Sequence, residues 1–277
     1  MPQPALDPRG LRGLILDMDG VLWRGEQPLG DLPALFARLR ALGLRWVFVT
    51  NNATRSPADY VRKLARFGVT ARADQILNAA LAAVAALRER WPQAQAVVHV
   101  LGEGPLQAML TAAGFRVTAE PQADAVVAAL DRTCTYDKLA RAALAIRRGA
   151  WFVGTNPDRT YPTPEGLVPG AGALLAALEA ATDVPPTVVG KPEPWLFRLA
   201  LERLQARPEQ VLVVGDRLET DVLGGQRLGL PTALVLSGVT DRAQAEAWRP
   251  SPHLVVRDFT VLVDWLALRR GPGRQVA

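Results

Sequence analysis

Two carboxylates stand two residues apart at the end of an apolar run, Leu14-Ile15-Leu16-Asp17-Met18-Asp19-Gly20-Val21-Leu22-Trp23. The aliphatic residues read as a buried strand that stops where charge begins. On a strand, side chains at i and i+2 point to the same face. Where the chain turns towards Gly20, one carboxylate can face a ligand while the other leans over it. Carboxylates this close repel each other unless a cation sits between them or one carries a proton. Taken alone, the stretch also reads as an ordinary Asp/Gly turn after a strand. Three later stretches decide between the two readings.

Each of those stretches also follows a strand-like run. Thr50-Asn51-Asn52 follows Leu44-Arg45-Trp46-Val47-Phe48-Val49, Gly190-Lys191-Pro192 follows Thr187-Val188-Val189, and Gly215-Asp216 follows Val211-Leu212-Val213-Val214. Asp17, Asp19 and Asp216 supply hard oxygen ligands with no companion His or Cys, which argues against zinc. A few carboxylates suit Mg²⁺, which binds through one or two of them and a substrate phosphate. Thr50, Asn51, Lys191 and the backbone N–H groups near Gly20 suit the oxygens of a phosphoryl group. Such a set serves phosphoryl transfer. One carboxylate can be the nucleophile and a second the general acid and then base.

The elements that must position these groups alternate between strand and helix. Helices are predicted over 33–42, 57–67, 78–91, 104–113, 136–148, 171–181, 195–205, 220–228 and 261–268. Strands are predicted over 14–16, 44–49, 96–101, 125–130, 151–155, 187–189, 211–214, 233–236 and 254–256. The Pro/Gly-rich stretch 160–170 reads as a loop. Such alternation predicts βαβ units and a doubly wound parallel sheet covered by helices, with ligands beyond the carboxyl ends of the strands. All four polar stretches are then expected at one edge of one sheet. The middle of the chain has its own strand–helix alternation and reads as a second α/β domain inserted into the first.

Composition narrows the partners. At 277 residues, 49% of them hydrophobic, the chain has material for one large or two modest domains. No run of about eighteen apolar residues exists, so no membrane span is expected. The start Met1-Pro2-Gln3-Pro4 lacks the pattern of a secretory signal. The single cysteine, Cys134, excludes an internal disulfide and fits a reducing cytoplasm. The net charge of +5 does not point to nucleic acid. The basic residues are scattered, the compact cluster Arg269-Arg270-Gly271-Pro272-Gly273-Arg274 is a Gly/Pro-interrupted tail, and Trp46, Trp151 and Trp195 are not interleaved with a basic strip. Lysine occurs only at positions 63, 138 and 191, which makes Lys191 in a motif more informative.

Together, Asp17-Met18-Asp19-Gly20-Val21-Leu22, Thr50-Asn51-Asn52, Gly190-Lys191-Pro192 and Gly215-Asp216-Arg217-Leu218-Glu219-Thr220-Asp221 resemble the four motifs of the haloacid dehalogenase superfamily of phosphatases. Thr155-Asn156-Pro157-Asp158 and Val168-Pro169-Gly170-Ala171-Gly172 resemble the cap, and its exit, of the 4-nitrophenylphosphatase-like subfamily, which includes phosphoglycolate and pyridoxal phosphate phosphatases. The resemblance covers about residues 10 to 265. It implies a discontinuous Rossmann-like core, 1–80 and 182–277, and an α/β cap, 81–181. It implies a Mg²⁺-dependent phosphatase of a small phosphorylated metabolite, and a homodimer through the cap. Asp17 would be nucleophile and Mg²⁺ ligand. Asp19 would be general acid/base and offer its backbone carbonyl to Mg²⁺, and Asp216 would complete the protein ligands. Thr50 and Lys191, with Asn51 and Gly20, would hold the phosphoryl oxygens. Asp221 would orient water or Lys191 from behind, though it also fits a simple helix cap. The second Asp separates the chain from dehalogenases, whose halide leaves without a proton.

In the cap region, Asp131-Arg132-Thr133 and Arg159-Thr160-Tyr161 each follow a predicted strand. Arg132, Arg159 and Tyr161 are therefore candidates for recognising an anionic substrate tail, set against the reading of surface arginines in an Arg-rich chain. His99 and His253 lie in or beside apolar strands and read as structural. A non-catalytic phosphate-binding or regulatory protein on the same fold is the alternative, and it has no need of Asp19.

Overall fold

The computed structural model describes residues 6–163 and 165–270. The opening Met1-Pro2-Gln3-Pro4 and the 271–274 part of the basic tail lie outside them. The fold is α/β, with parallel sheets flanked by helices.

Contacts divide the chain into two compact units. One comprises the chain up to Val49, Ala58–Leu77 and the chain from Phe197 onward; the other comprises Thr50–Pro57 and Asn78–Leu196. The first unit is built on a six-stranded sheet in the order Leu254–Val256, Thr232–Val235, Val211–Gly215, Gly13–Leu16, Arg45–Thr50, Ile76–Asn78. Gly13–Leu16 pairs in parallel with Val211–Gly215 on one side and with Arg45–Thr50 on the other. Every residue of Gly13–Leu16 is buried, as a strand covered on both faces requires. Phe36 anchors the core beside it, 5.0 Å from the Trp46 ring, 5.7 Å from Phe48 and 5.8 Å from Phe259. Burying one such aromatic contributes about 1.5–3 kcal/mol.

The second unit is built on a five-stranded sheet in the order Thr187–Val188, Trp151–Gly154, Ala125–Ala128, Val97–Leu101, Arg116–Thr118, with every pairing parallel. Its core is made of smaller side chains, with Ala128, Ala142, Ala145 and Ile146 packed around Phe152 and Leu178.

The structure corrects the sequence reading in several places, and it adds the strands Ile76–Asn78 and Arg116–Thr118, which the alternation did not announce. The strand leading to Gly190-Lys191 does not join the sheet that carries Asp17 and Asp216. Thr187 and Val188 pair with Val153 and Gly154, so the polar stretches are distributed over two sheets. A two-residue strand carries too little hydrophobic pattern to declare its partner. The expected loop over 160–170 contains an antiparallel hairpin, Thr160–Thr163 with Gly166–Pro169; a two-stranded ribbon tolerates proline because its outward positions need no ladder bond. The helix expected from Thr220 opens with a wider π-type turn, Leu218–Val222, before Leu223–Arg227. Finally, Arg242–Ala247 forms a short helix that the alternation did not announce.

Candidate active site

The Asp17 strand ends beside the Asp216 strand. The Asp17 N–H donates to the Val214 carbonyl at 2.9 Å, continuing the ladder one residue past Leu16. Carboxylate oxygens of Asp17, Asp216 and Asp221 all lie within 4.8 Å of one another, with Asp216 and Asp221 buried and Asp17 half-buried. Backbone donors offset part of their repulsion: Val239 N–H donates to Asp216 Oδ2 at 2.8 Å and Arg217 N–H to Asp221 Oδ2 at 3.2 Å. The wide turn is what aims Asp221, because Asp221 N–H and Val222 N–H both reach back to the Arg217 carbonyl, at 3.1 and 3.3 Å. Such turns recur at functional sites.

Space around this cluster is reserved by missing side chains. A Cβ on Gly238 would lie 1.9 Å from Asp216 Oδ2, and one on Gly20 would lie 2.5 Å from the same atom; Gly20 also has φ +82°. Only glycine allows both this close approach and this backbone. The donor set is all carboxylate. His99 is engaged with the Glu120 carbonyl and His253 with Thr232, and burial pushes both imidazoles down. A hard, oxygen-preferring cation fits these ligands better than a softer one.

The Asp19 side chain is not part of that cluster. Its Oδ1 accepts a hydrogen bond from Trp23 Nε1 at 2.8 Å, while Gly20 N–H donates to the Trp23 carbonyl at 2.7 Å. Ser237 Oγ donates to the Gly20 carbonyl at 2.7 Å, tying the turn after Asp19 to the segment after Thr232–Val235. Sequence reasoning passed over Trp23 and Ser237. The signal for Trp23 was there: a polar-edged aromatic four residues beyond an exposed carboxylate.

The predicted donors gather in the five-stranded unit. Thr50, the last residue of its strand, is buried, and its Oγ1 accepts from Asn52 N–H at 3.2 Å. Asn51 engages both main-chain polar groups of one residue: Oδ1 accepts Lys191 N–H at 2.7 Å and Nδ2 donates to the Lys191 carbonyl at 3.0 Å. Asn156 Nδ2 in turn donates to the Asn51 carbonyl at 2.8 Å. Asn51 therefore clamps the Lys191 main chain. Lys191 itself is only 3% exposed. A Cβ on Gly190 would lie 2.3 Å from the Thr155 carbonyl and 2.7 Å from Asn51 Oδ1, so glycine is required beside this clamp. Asn156 was legible only as part of Thr155-Asn156-Pro157-Asp158; its partner, 105 residues earlier, was not.

The cap candidates divide. Arg132 is held by Glu103, with Nε on Oε1 at 2.7 Å and an amino group on Oε2 at 2.8 Å. This pairing holds the Glu103 carboxyl below its ordinary range. An anionic substrate tail would have to displace Glu103. Arg159 is exposed and Tyr161 half-buried on the hairpin. Neighbouring Asp131 is buried. Burial pushes its carboxyl up, but Lys138 Nζ at 2.8 Å and the Thr133 donors outweigh that and leave it below the ordinary value. Glu103, Asp131, Asn156 and Lys191 follow adjacent parallel strands and so share one edge of this sheet.

A haloacid dehalogenase-like hydrolase family model matches residues 14–116, and a second, HAD-hydrolase-like model matches 188–262. Mouse chronophin is 36% identical over 271 residues, covering 92% of this chain and 93% of its own. The structure of a 4-nitrophenylphosphatase from Thermotoga maritima superposes with a TM-score of 0.87 at 32% identity, covering 93% of this chain and 98% of its own. A glycerol phosphate phosphatase from Mycobacterium tuberculosis, solved in complex with magnesium, superposes with a TM-score of 0.86 at 36% identity, covering 94% and 78%. The chain belongs to the haloacid dehalogenase-like hydrolases and, within them, to the 4-nitrophenylphosphatase-like phosphatases. It is a phosphoric monoester hydrolase. Among the described residues no helix is long and apolar enough to cross a membrane.

Proposed function

We propose that the protein removes the phosphoryl group from a small phosphorylated metabolite of the cytoplasm in two steps through phospho-Asp17. The observation that carries this reading is the separation of the two N-terminal carboxylates. Asp17 joins Asp216 and Asp221, while Asp19 is anchored apart by Trp23.

Asp17 attacks phosphorus, and its carboxylate oxygen forms the new P–O bond as the ester P–O bond breaks. Asp19 delivers a proton to the departing alkoxide. In the second step Asp19 takes a proton from water, which attacks the phosphorus of phospho-Asp17 and frees inorganic phosphate with Asp17 regenerated. The Thr50 hydroxyl and the Lys191 ammonium receive the phosphoryl oxygens, while the Gly20 N–H, expected to join them, is engaged by the Trp23 carbonyl. Asn51 and Asn156 keep the Lys191 main chain in place for that task. Asp17, Asp216 and the Asp19 main-chain carbonyl would hold Mg²⁺, which when bound supplies positive charge to the phosphoryl oxygens. Asp221, buried behind them, orients what they hold. Residues 81–181 act as the cap that meets the leaving group and excludes water. The names of the relatives, and the magnesium in one of their structures, support this reading.

Phosphate release from 4-nitrophenyl phosphate tests it. Activity present with Mg²⁺, absent with EDTA and restored by Mg²⁺ is the expected result. Near-wild-type turnover by Asp17→Asn would overturn the assignment.

A further inference from the structure

Asp19 needs more than proximity to move a proton in both directions. Its carboxylate must present one oxygen to the leaving group and later to water, and an exposed Asp rotates freely about two side-chain bonds. The surroundings remove that freedom from one side. Trp23 is fully buried, and its Nε1–H donates to Asp19 Oδ1 at 2.8 Å. The loop between them is closed by Gly20 N–H on the Trp23 carbonyl and by a bridge pairing Asp19 with Trp23. The indole is fixed in turn. Phe67 packs tilted against it with ring centroids 5.7 Å apart. The Lys63 ammonium lies 4.5 Å from the ring centroid, on a residue 5% exposed overall, and donates to the Gly25 carbonyl at 2.7 Å with Glu26 at 3.6 Å. A cation over the face of an indole is attracted to it and holds its orientation.

Indole nitrogen only donates. The Asp19 oxygen that accepts from it is therefore occupied as an acceptor and is the wrong atom to carry a proton. We propose that Trp23, braced by Lys63, is a positioning residue that assigns proton transfer to Asp19 Oδ2 and holds that oxygen towards the reacting ester. This rests on the proposed role of Asp19 as general acid/base. A proton carrier that must serve two steps from one place benefits from such an anchor.

The test separates positioning from mere packing by the leaving group. A good leaving group departs without a proton, and a poor one needs it, so a misplaced acid penalises poor leaving groups selectively. Wild type and Trp23→Phe are assayed with Mg²⁺ on 4-nitrophenyl, phenyl and benzyl phosphate, reading kcat/KM. The expected result is a loss at least about tenfold larger on benzyl than on 4-nitrophenyl phosphate, a fraction of the ~10²–10⁴ that general acid catalysis supplies. Because Trp23→Phe also opens space in the core, the same assay is run with benzothienylalanine at position 23, which keeps the bicyclic shape and replaces N–H by sulfur. An equal loss on all three esters, or no loss, in that isosteric protein overturns the proposal. Asp17→Asn is run in parallel: if it stays active, the underlying two-step reading fails, whatever the position-23 variants show.

Discussion

In the six-stranded unit, the polar groups beyond the strands are carboxylates, and backbone amides hold them: Val239 N–H on Asp216, Arg217 N–H on Asp221. In the five-stranded unit, the central group is a buried ammonium residue, and side-chain amides hold its backbone: Asn51 on Lys191, with Asn156 on Asn51. The first arrangement gathers like charges whose repulsion a bound cation would relieve further. The second fixes the backbone that carries one cation, since the Asn51 amide holds the Lys191 main-chain N–H and carbonyl. Their cores differ to match. Large aromatics around Phe36 pack the unit that carries Asp17 and Asp216, and alanine-rich packing builds the other.

The difference can be broken most severely on the carboxylate side. Asp17→Asn should abolish steady-state turnover of 4-nitrophenyl phosphate, a loss of about 10⁴-fold or more, as for removal of other covalent nucleophiles. Lys191→Ala should lower kcat/KM by about 10²–10³-fold, the scale of losing one preorganised charge donor, with the melting temperature read alongside. Asn51→Ala should lower kcat/KM by roughly 10-fold, acting through a neighbour as other supporting residues do. In the Lys191→Ala background it should have little further effect. A double-mutant cycle reads this directly; full multiplicativity would mean that Asn51 acts on its own.

On the stability side, Phe36→Ala should destabilise by about 3–5 kcal/mol and Ile146→Val by only about 0.5–1.5 kcal/mol, measured by urea unfolding. The smallest effect belongs to Asp131. Its folded carboxyl titrates below the ordinary 3.8, so its stabilising contribution is fully present above that value and fades as pH falls through the folded value. Lys138→Met should remove that contribution and flatten the acid limb of the stability profile. An unchanged limb would mean that the pair contributes nothing.

Much of this was written locally. An aliphatic run into Asp17, another into Gly215-Asp216, and helices stopping at Gly43, Gly68 and Gly114 are decided by neighbours within a few residues. Strand and helix periodicity carries such information well. The identity of the carboxylates, the absence of His and Cys among them and the lone motif lysine are composition and spacing, and they point to phosphoryl chemistry by themselves. What tertiary structure alone decided is every relation over long separations. Thr187–Val188 is too short to announce its sheet, and its pairing with Val153 and Gly154 moved Lys191 to the second unit. Asn51 reads locally as a phosphate donor, and its hold on the Lys191 main chain, 140 residues away, is visible only in the fold. Trp23 looked like core, and it is core, but a buried indole keeps one polar atom that must find an acceptor. Here that acceptor is Asp19, a partner that only the turn after the first strand could bring within reach.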